Sequence, residues 1–74
     1  MTDWQQRVID EKRELDAKIE KLRRFIFHGK INTVEVWSEA FEALDHLDRC
    51  LLQDQLNYMT KYSKVLTERI ERFT

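Results

Sequence analysis

The sequence predicts an all-α protein: an antiparallel helical hairpin with a short connector helix, assembling into a compact homo-oligomer. Three observations carry that expectation. The 74 residues include no proline and a single glycine, Gly29, so almost nothing interrupts a helix. Apolar residues recur by threes and fours on either side of Gly29, the period of a helix face. Two tryptophans, four phenylalanines and two tyrosines are more aromatic surface than a two-helix hairpin can bury, and self-association would cover the surplus. This length is at the low end of what one core stabilises unaided, so residues 1–74 are read as a single hairpin domain.

The first helix is expected from about Asp3 to His28, with Asp3 or Thr2 accepting from the free amides of its first turn. Its apolar places are Trp4, Val8, Leu15, Ile19, Leu22, Phe25 and Ile26. Gly29 then offers the left-handed conformation that ends many helices. Residues 29–44 are read as a connector with one short helix. Asn32 followed by Glu35 resembles a capping box and places the start of that helix near Thr33. Val34, Val36 and Trp37 are poor helix formers and fit irregular backbone equally well. Trp37, Phe41 and Leu44 are expected to fold back onto the hairpin. The second long helix is expected from about Asp45 to Phe73, separate from the short one or continuous with it.

Each long helix reserves one row for polar groups. In the first, Val8, Leu15 and Leu22 form a heptad row, and the row three residues on runs Trp4, Glu11, Lys18, Phe25. In the second, Leu52, Met59, Leu66 and Phe73 are accompanied by Gln55, Tyr62 and Arg69. Antiparallel neighbours whose numbers sum to about 73 set Lys18 opposite Gln55, Glu11 opposite Tyr62 and Trp4 near Arg69. Leu51, Leu56, Tyr58, Val65 and Ile70 widen the second stripe beyond the needs of one partner, and a second packing surface explains the excess. A polar layer of this kind either fixes register or opens onto a ligand site, and the spacing fits both.

Thirteen basic and fourteen acidic residues nearly cancel, which excludes the strong positive field that duplex nucleic acid requires. A lone cysteine, Cys50, forms no intrachain disulfide and fits a reducing cytoplasm. The apolar runs are too short for a membrane span, and no apolar leader follows Met1. A soluble cytoplasmic protein without a cofactor is the expectation. Catalytic signatures are missing: one glycine makes no phosphate loop, and Cys50 reads as a small core residue among leucines. His46 and Cys50 share a helix face, but two ligands do not make a metal site. "RVID" followed by "LDAKI" resembles the first helix of the all-helical chorismate mutases, without a counterpart for the rest of that active-site set.

Binding has better support. Trp4, Arg7 and Lys18 lie on or beside one face of the first helix, and Arg69 and Arg72 arrive from the far end of the second. A ring that stacks on a base contributes about 1–3 kcal/mol, and cationic side chains meet phosphate through charge-assisted hydrogen bonds. Each residue also has an ordinary role. Trp4 covers the open end of the hairpin, Lys18 pairs with Glu14 or Glu11, and Arg69 and Arg72 complement the last helical turn. The rival reading is a structural interaction module whose extra apolar face docks a partner helix.

"QQRVIDEKRELDAKIEKLRRFI" with "FEALDHLDRCLLQDQLNYMTKYSKVLTERIERF" resembles the phage-encoded helical hairpins that act as sponges for immune nucleotide signals, the anti-CBASS and anti-Thoeris proteins. The likeness covers nearly the whole chain, through residues such as Gln6, Arg7, Glu11, Lys18, Gln55, Tyr62 and Arg69. The connector "FHGKINTVEVWSEA" is longer than that family's. The resemblance implies a homo-oligomer, typically a hexamer, that holds cyclic di- or trinucleotides or cyclic ADP-ribose isomers between protomers without cleaving them. It assigns base stacking to Trp4 and phosphate binding to Lys18, with Arg7 and Arg69 as auxiliary phosphate contacts.

Overall fold

Helix α1 (Asp3–Ile26) begins at Thr2, the second of the two expected caps, whose backbone N–H donates to Gln5 Oε1 at 3.0 Å. The computed structural model describes residues 1–31 and 34–74, the side chains of Lys30 and Ile31 excepted. Val8 and Ile26 are the buried residues of α1. The helix stops two residues short of His28 because Phe27 already has an extended backbone, φ −111° and ψ 135°.

The connector departs from the all-α expectation. Strand β1 (Phe27–Ile31) pairs antiparallel with β2 (Val34–Trp37), with Gly29 opposite Val36 and Lys30 opposite Glu35. Val34, Val36 and Trp37 are β-branched or aromatic, and such side chains suit a pleated surface. Gly29 does not end the helix. It takes φ +133° beside a register shift between Phe27 and Gly29, where a bulge needs a residue free of the Cβ penalty. Asn32 and Thr33, the expected start of the connector helix, lie outside the described residues, while Glu35 of the expected capping box sits in β2.

The connector's helix is α2 (Glu39–Glu42), capped by Ser38. The Ser38 hydroxyl accepts from the Phe41 amide at 3.1 Å and donates to the Phe25 carbonyl at 2.5 Å. The Ser38 amide donates to the Ile26 carbonyl at 2.8 Å. One residue therefore caps α2 and ties it to the end of α1. Phe41 is completely buried, as expected, and meets the half-exposed Trp37 edge-on with centroids 5.1 Å apart. Helix α3 (His46–Glu71) is a separate element, started by Asp45, whose carboxylate accepts from the Leu47 amide at 3.3 Å.

Helices α1 and α3 form one antiparallel layer that keeps the expected pair of Glu11 and Tyr62, with the contacts of Trp4 and Asp16 about one turn beyond the expected register. The Tyr62 hydroxyl donates to Glu11, and Trp4 packs on Phe73. The chain is a slab of 46 × 27 × 14 Å, with a radius of gyration of 15.3 Å. A compact domain of this length would have about 11 Å. The chain is predominantly helical, and its two-stranded sheet lies in the connector.

The two broad sides of the slab differ. On one, Arg23 binds Glu35 at 2.6 Å and lies over the Phe27 ring, while Arg49 lies 5.5 Å from the Trp37 ring and donates to the Glu42 carbonyl. The connector folds over this side at the Phe25 end of α1, and Lys12, Asp16 and Ser63 line the same side farther along by helical spacing. The other side carries Trp4, Phe25, Leu51, Tyr58, Tyr62 and Val65, all exposed.

Candidate functional site

The two helix ends that an antiparallel hairpin must bring together hold the richest set of binding groups. Trp4 stands in the first turn of α1, and Phe73 lies two residues beyond the end of α3. Their rings meet edge to face, with centroids 5.3 Å apart and planes at 79°. That contact is worth roughly 0.5–1.5 kcal/mol beyond burial and holds the indole in place. Trp4 nevertheless stays 53% exposed. Arg69 and Arg72 join the two rings around a concavity of about 520 Å³. Arg72 is the C-cap of α3, where the carbonyl end of the helix favours a cation.

Arg69 also faces the next layer inward. The hydrogen bond from Tyr62 to Glu11 raises the phenol above its ordinary range, as does the nearby carboxylate charge, and Arg69 pulls the other way. The resulting strip runs from an open aromatic surface, past two guanidiniums, to a carboxylate–phenol pair. It presents stacking and anion-binding groups, with one acceptor set behind them.

The covered side holds a different cluster. Lys12 Nζ lies 2.6 Å from Asp16 Oδ2, and the buried Ser63 hydroxyl donates to Asp16 Oδ1 at 2.5 Å. The Lys12 hydrogen bond, then that from Ser63, holds Asp16 below the usual carboxylate range. Ser63 gives its proton to an anion already satisfied by an ammonium, so the triad is a polar clasp between helices. His46 Nε2 and Cys50 Sγ are 3.6 Å apart, and Cys50 is half-buried on α3, not a core residue. Among the described residues no cluster of three or more His, Cys, Asp or Glu side chains is placed to hold a metal. No described helix is long and apolar enough to cross a membrane.

Of the four residues picked out by sequence, the fold brings Trp4 and Arg69 together. Arg7 is exposed one turn along α1 and does not line the concavity. Lys18 is exposed and forms no ion pair among the described residues, with Glu14 or Glu11 or any other acid. Fourteen residues separate it from Trp4, about 21 Å along the helix at 1.5 Å per residue. Phe73 escapes a sequence search for site residues because its heptad row reads as packing, and Tyr62 because its polar row fits a register device equally well. Their places beside a candidate stacking residue and a candidate cation were the available signal.

No curated protein and no solved structure matches the chain significantly. A family model described as Sequestin matches residues 2–72, from the cap of α1 to the cap of α3, and the chain belongs to the Sequestin family.

Proposed function

We propose that the protein sequesters cyclic di- or trinucleotides, or cyclic ADP-ribose isomers, that signal in bacterial antiviral immunity. On this reading it is a phage-encoded sponge of the anti-CBASS and anti-Thoeris kind, acting in the cytoplasm of the infected cell and binding its ligand intact. One observation carries the reading: an exposed tryptophan, braced by Phe73, opens onto a concavity flanked by Arg69 and Arg72. The family name Sequestin agrees with sequestration by binding and not with turnover.

The roles follow from the chemistry. A base stacks on the free surface of Trp4, and Arg69 and Arg72 meet phosphate. Arg7 reaches the same ligand from the next turn. Lys18 is too far along α1 to share a dinucleotide with Trp4 of its own chain, so its phosphate contact is made in a homo-oligomer, such as a hexamer, with the ligand between protomers. A sponge acts by stoichiometry and slow release, so several phosphate contacts serve it better than any catalytic group.

Native mass measurement with and without a panel of cyclic nucleotides tests this. The expected result is a protein oligomer carrying nucleotide, and release of the unchanged nucleotide when the complex is heated. Trp4→Ala is expected to weaken binding roughly 5- to 150-fold, the range of one lost stacking contact. Retention of no nucleotide, or release of a cleaved one, sinks the proposal. The bare apolar side of the slab favours a second reading, a structural interaction module. That reading predicts stable folding, association with a partner and no nucleotide binding.

A further inference from the structure

Glu11 is an acid set near cations that it does not neutralise. Arg69 lines the concavity beside Trp4 and also acts on the Tyr62 phenol that Glu11 holds. Yet among the described residues neither Glu11, Arg69 nor Arg72 forms an ion pair. The Tyr62 hydroxyl donates to Glu11 Oε2, which fixes the carboxylate and leaves Oε1 without a donor among the described residues. Both side chains are exposed. A pair so placed adds little to folding, since water competes for both groups.

The spacing gives the pair another use. Trp4 and Glu11 share one row of α1, seven residues and about 10 Å apart, and Tyr62 and Arg69 are spaced likewise on α3. A ligand whose base stacks on Trp4 and whose phosphate meets Arg69 extends toward Glu11 with whatever follows the phosphate. We infer that Glu11 decides what this site accepts, a role that rests on the sequestration reading. Its carboxylate takes a hydrogen bond from a ribose hydroxyl beyond the phosphate, and it repels a terminal phosphate. Tyr62 is a positioning residue, which holds the carboxylate in place.

The chemistry of the two signs makes the selection. An ionised carboxylate only accepts, so an O–H or N–H satisfies it and a phosphate oxygen does not. In cyclic oligonucleotides and in cyclic ADP-ribose a second ribose follows the phosphate and offers hydroxyl donors. Ring closure also leaves no terminal phosphate, so each phosphate carries a single charge. A linear nucleoside diphosphate instead ends in a phosphate of about −1.5 to −2 charge. With its base on Trp4, that end points at Glu11. Rejecting a wrong ligand by an opposed charge is a common route to specificity, and a sponge needs it to find a scarce messenger among abundant linear nucleotides.

Calorimetry on the full chain tests the role of Glu11. The probes are cyclic di-AMP, cyclic tri-AMP and cyclic ADP-ribose, each with the analogue that lacks its ribose 2-hydroxyls, and ADP. At least one hydroxylated probe is expected to bind roughly 10- to 100-fold tighter than its deoxy analogue, the range of a hydrogen bond to a charged group. ADP is expected to bind more weakly than that probe. Glu11→Ala should lower the hydroxylated probe to the level of its analogue and bind ADP more tightly than the unaltered protein does. Tyr62→Phe should lose part of the hydroxyl preference and keep the rejection of ADP, because the charge remains. Circular dichroism should show both variants folded, as their exposure predicts. Equal binding of hydroxylated and deoxy probes, or an ADP affinity unmoved by Glu11→Ala, overturns the role of Glu11 and leaves sequestration standing. Binding of no probe overturns both.

Discussion

The covered and the bare sides of the helical layer are built from the same two helices yet do different work. The covered side is closed by Phe41 and by polar groups that find partners: Arg23 with Glu35, Ser38 with two backbone groups, and Asp16 with Lys12 and Ser63. The bare side exposes rings and aliphatic side chains. In a domain this small the first arrangement supplies stability, and the second leaves a surface that costs solubility unless something covers it. The difference locates folding on one side and recognition on the other.

Phe41→Ala attacks the covered side where it is most completely buried. The loss should be about 3–5 kcal/mol, comparable with the entire stability of a small domain, and urea denaturation should find much of the chain unfolded. Tyr58→Ala on the bare side should move the unfolding midpoint of dilute protein little, within about 0.5 kcal/mol. Equal effects from the two would erase the distinction.

Gly29→Ala probes how the connector reaches its side. A Cβ at Gly29 meets nothing within 4 Å, so the cost is that of φ +133° alone, about 1–2 kcal/mol. Thermal unfolding should report it, and an unchanged midpoint would show that the bulge tolerates any residue.

Two titrations sharpen the comparison further. Asp16 is held below the carboxylate range, so its contribution is present above the unfolded-state value and is lost as pH falls through the lower folded value. Asp16→Asn should flatten the acid limb of the stability curve; an identical limb in the variant would show that the clasp adds nothing to stability. Tyr62 on the bare side is shifted upward by Glu11, so its contribution is present below the ordinary phenol value and disappears as pH rises through the higher folded one. Ultraviolet titration of the tyrosines should show one late phenol that moves earlier in Glu11→Gln. This is the smallest expected effect, because the pair is exposed to water.

Much of the scaffold was legible from residue types. Thr2 and Asp45 are helix caps by chemistry, and the two polar rows, Glu11 with Lys18 and Gln55 with Tyr62, already implied the register that Glu11 and Tyr62 adopt. Phe41 was legible as a fold-back residue because a large apolar ring in a polar connector needs a core. The strands were not. A four-residue run such as Val34–Trp37 fits a strand, and an Asn–Glu pair nearby fits a helix start, so local preference alone does not choose. Pairing with Phe27–Ile31 chose. The meeting of Trp4 with Arg69 follows from any antiparallel hairpin, whereas the aromatic brace from Phe73 depends on where α3 stops.

By itself the sequence determined two long amphipathic helices, the polar row on each and the surplus of apolar surface. These depend on periodicity and capping, which act within a turn or two of the chain. Only the tertiary structure decided that the connector is a β-hairpin with a four-residue helix, and that it covers one side of the layer. Contacts between residues far apart in the chain made that choice, as Ser38 clamped the end of α1 and Arg49 stacked on Trp37. Once one side was covered, the other was left bare, and the place of the recognition surface followed.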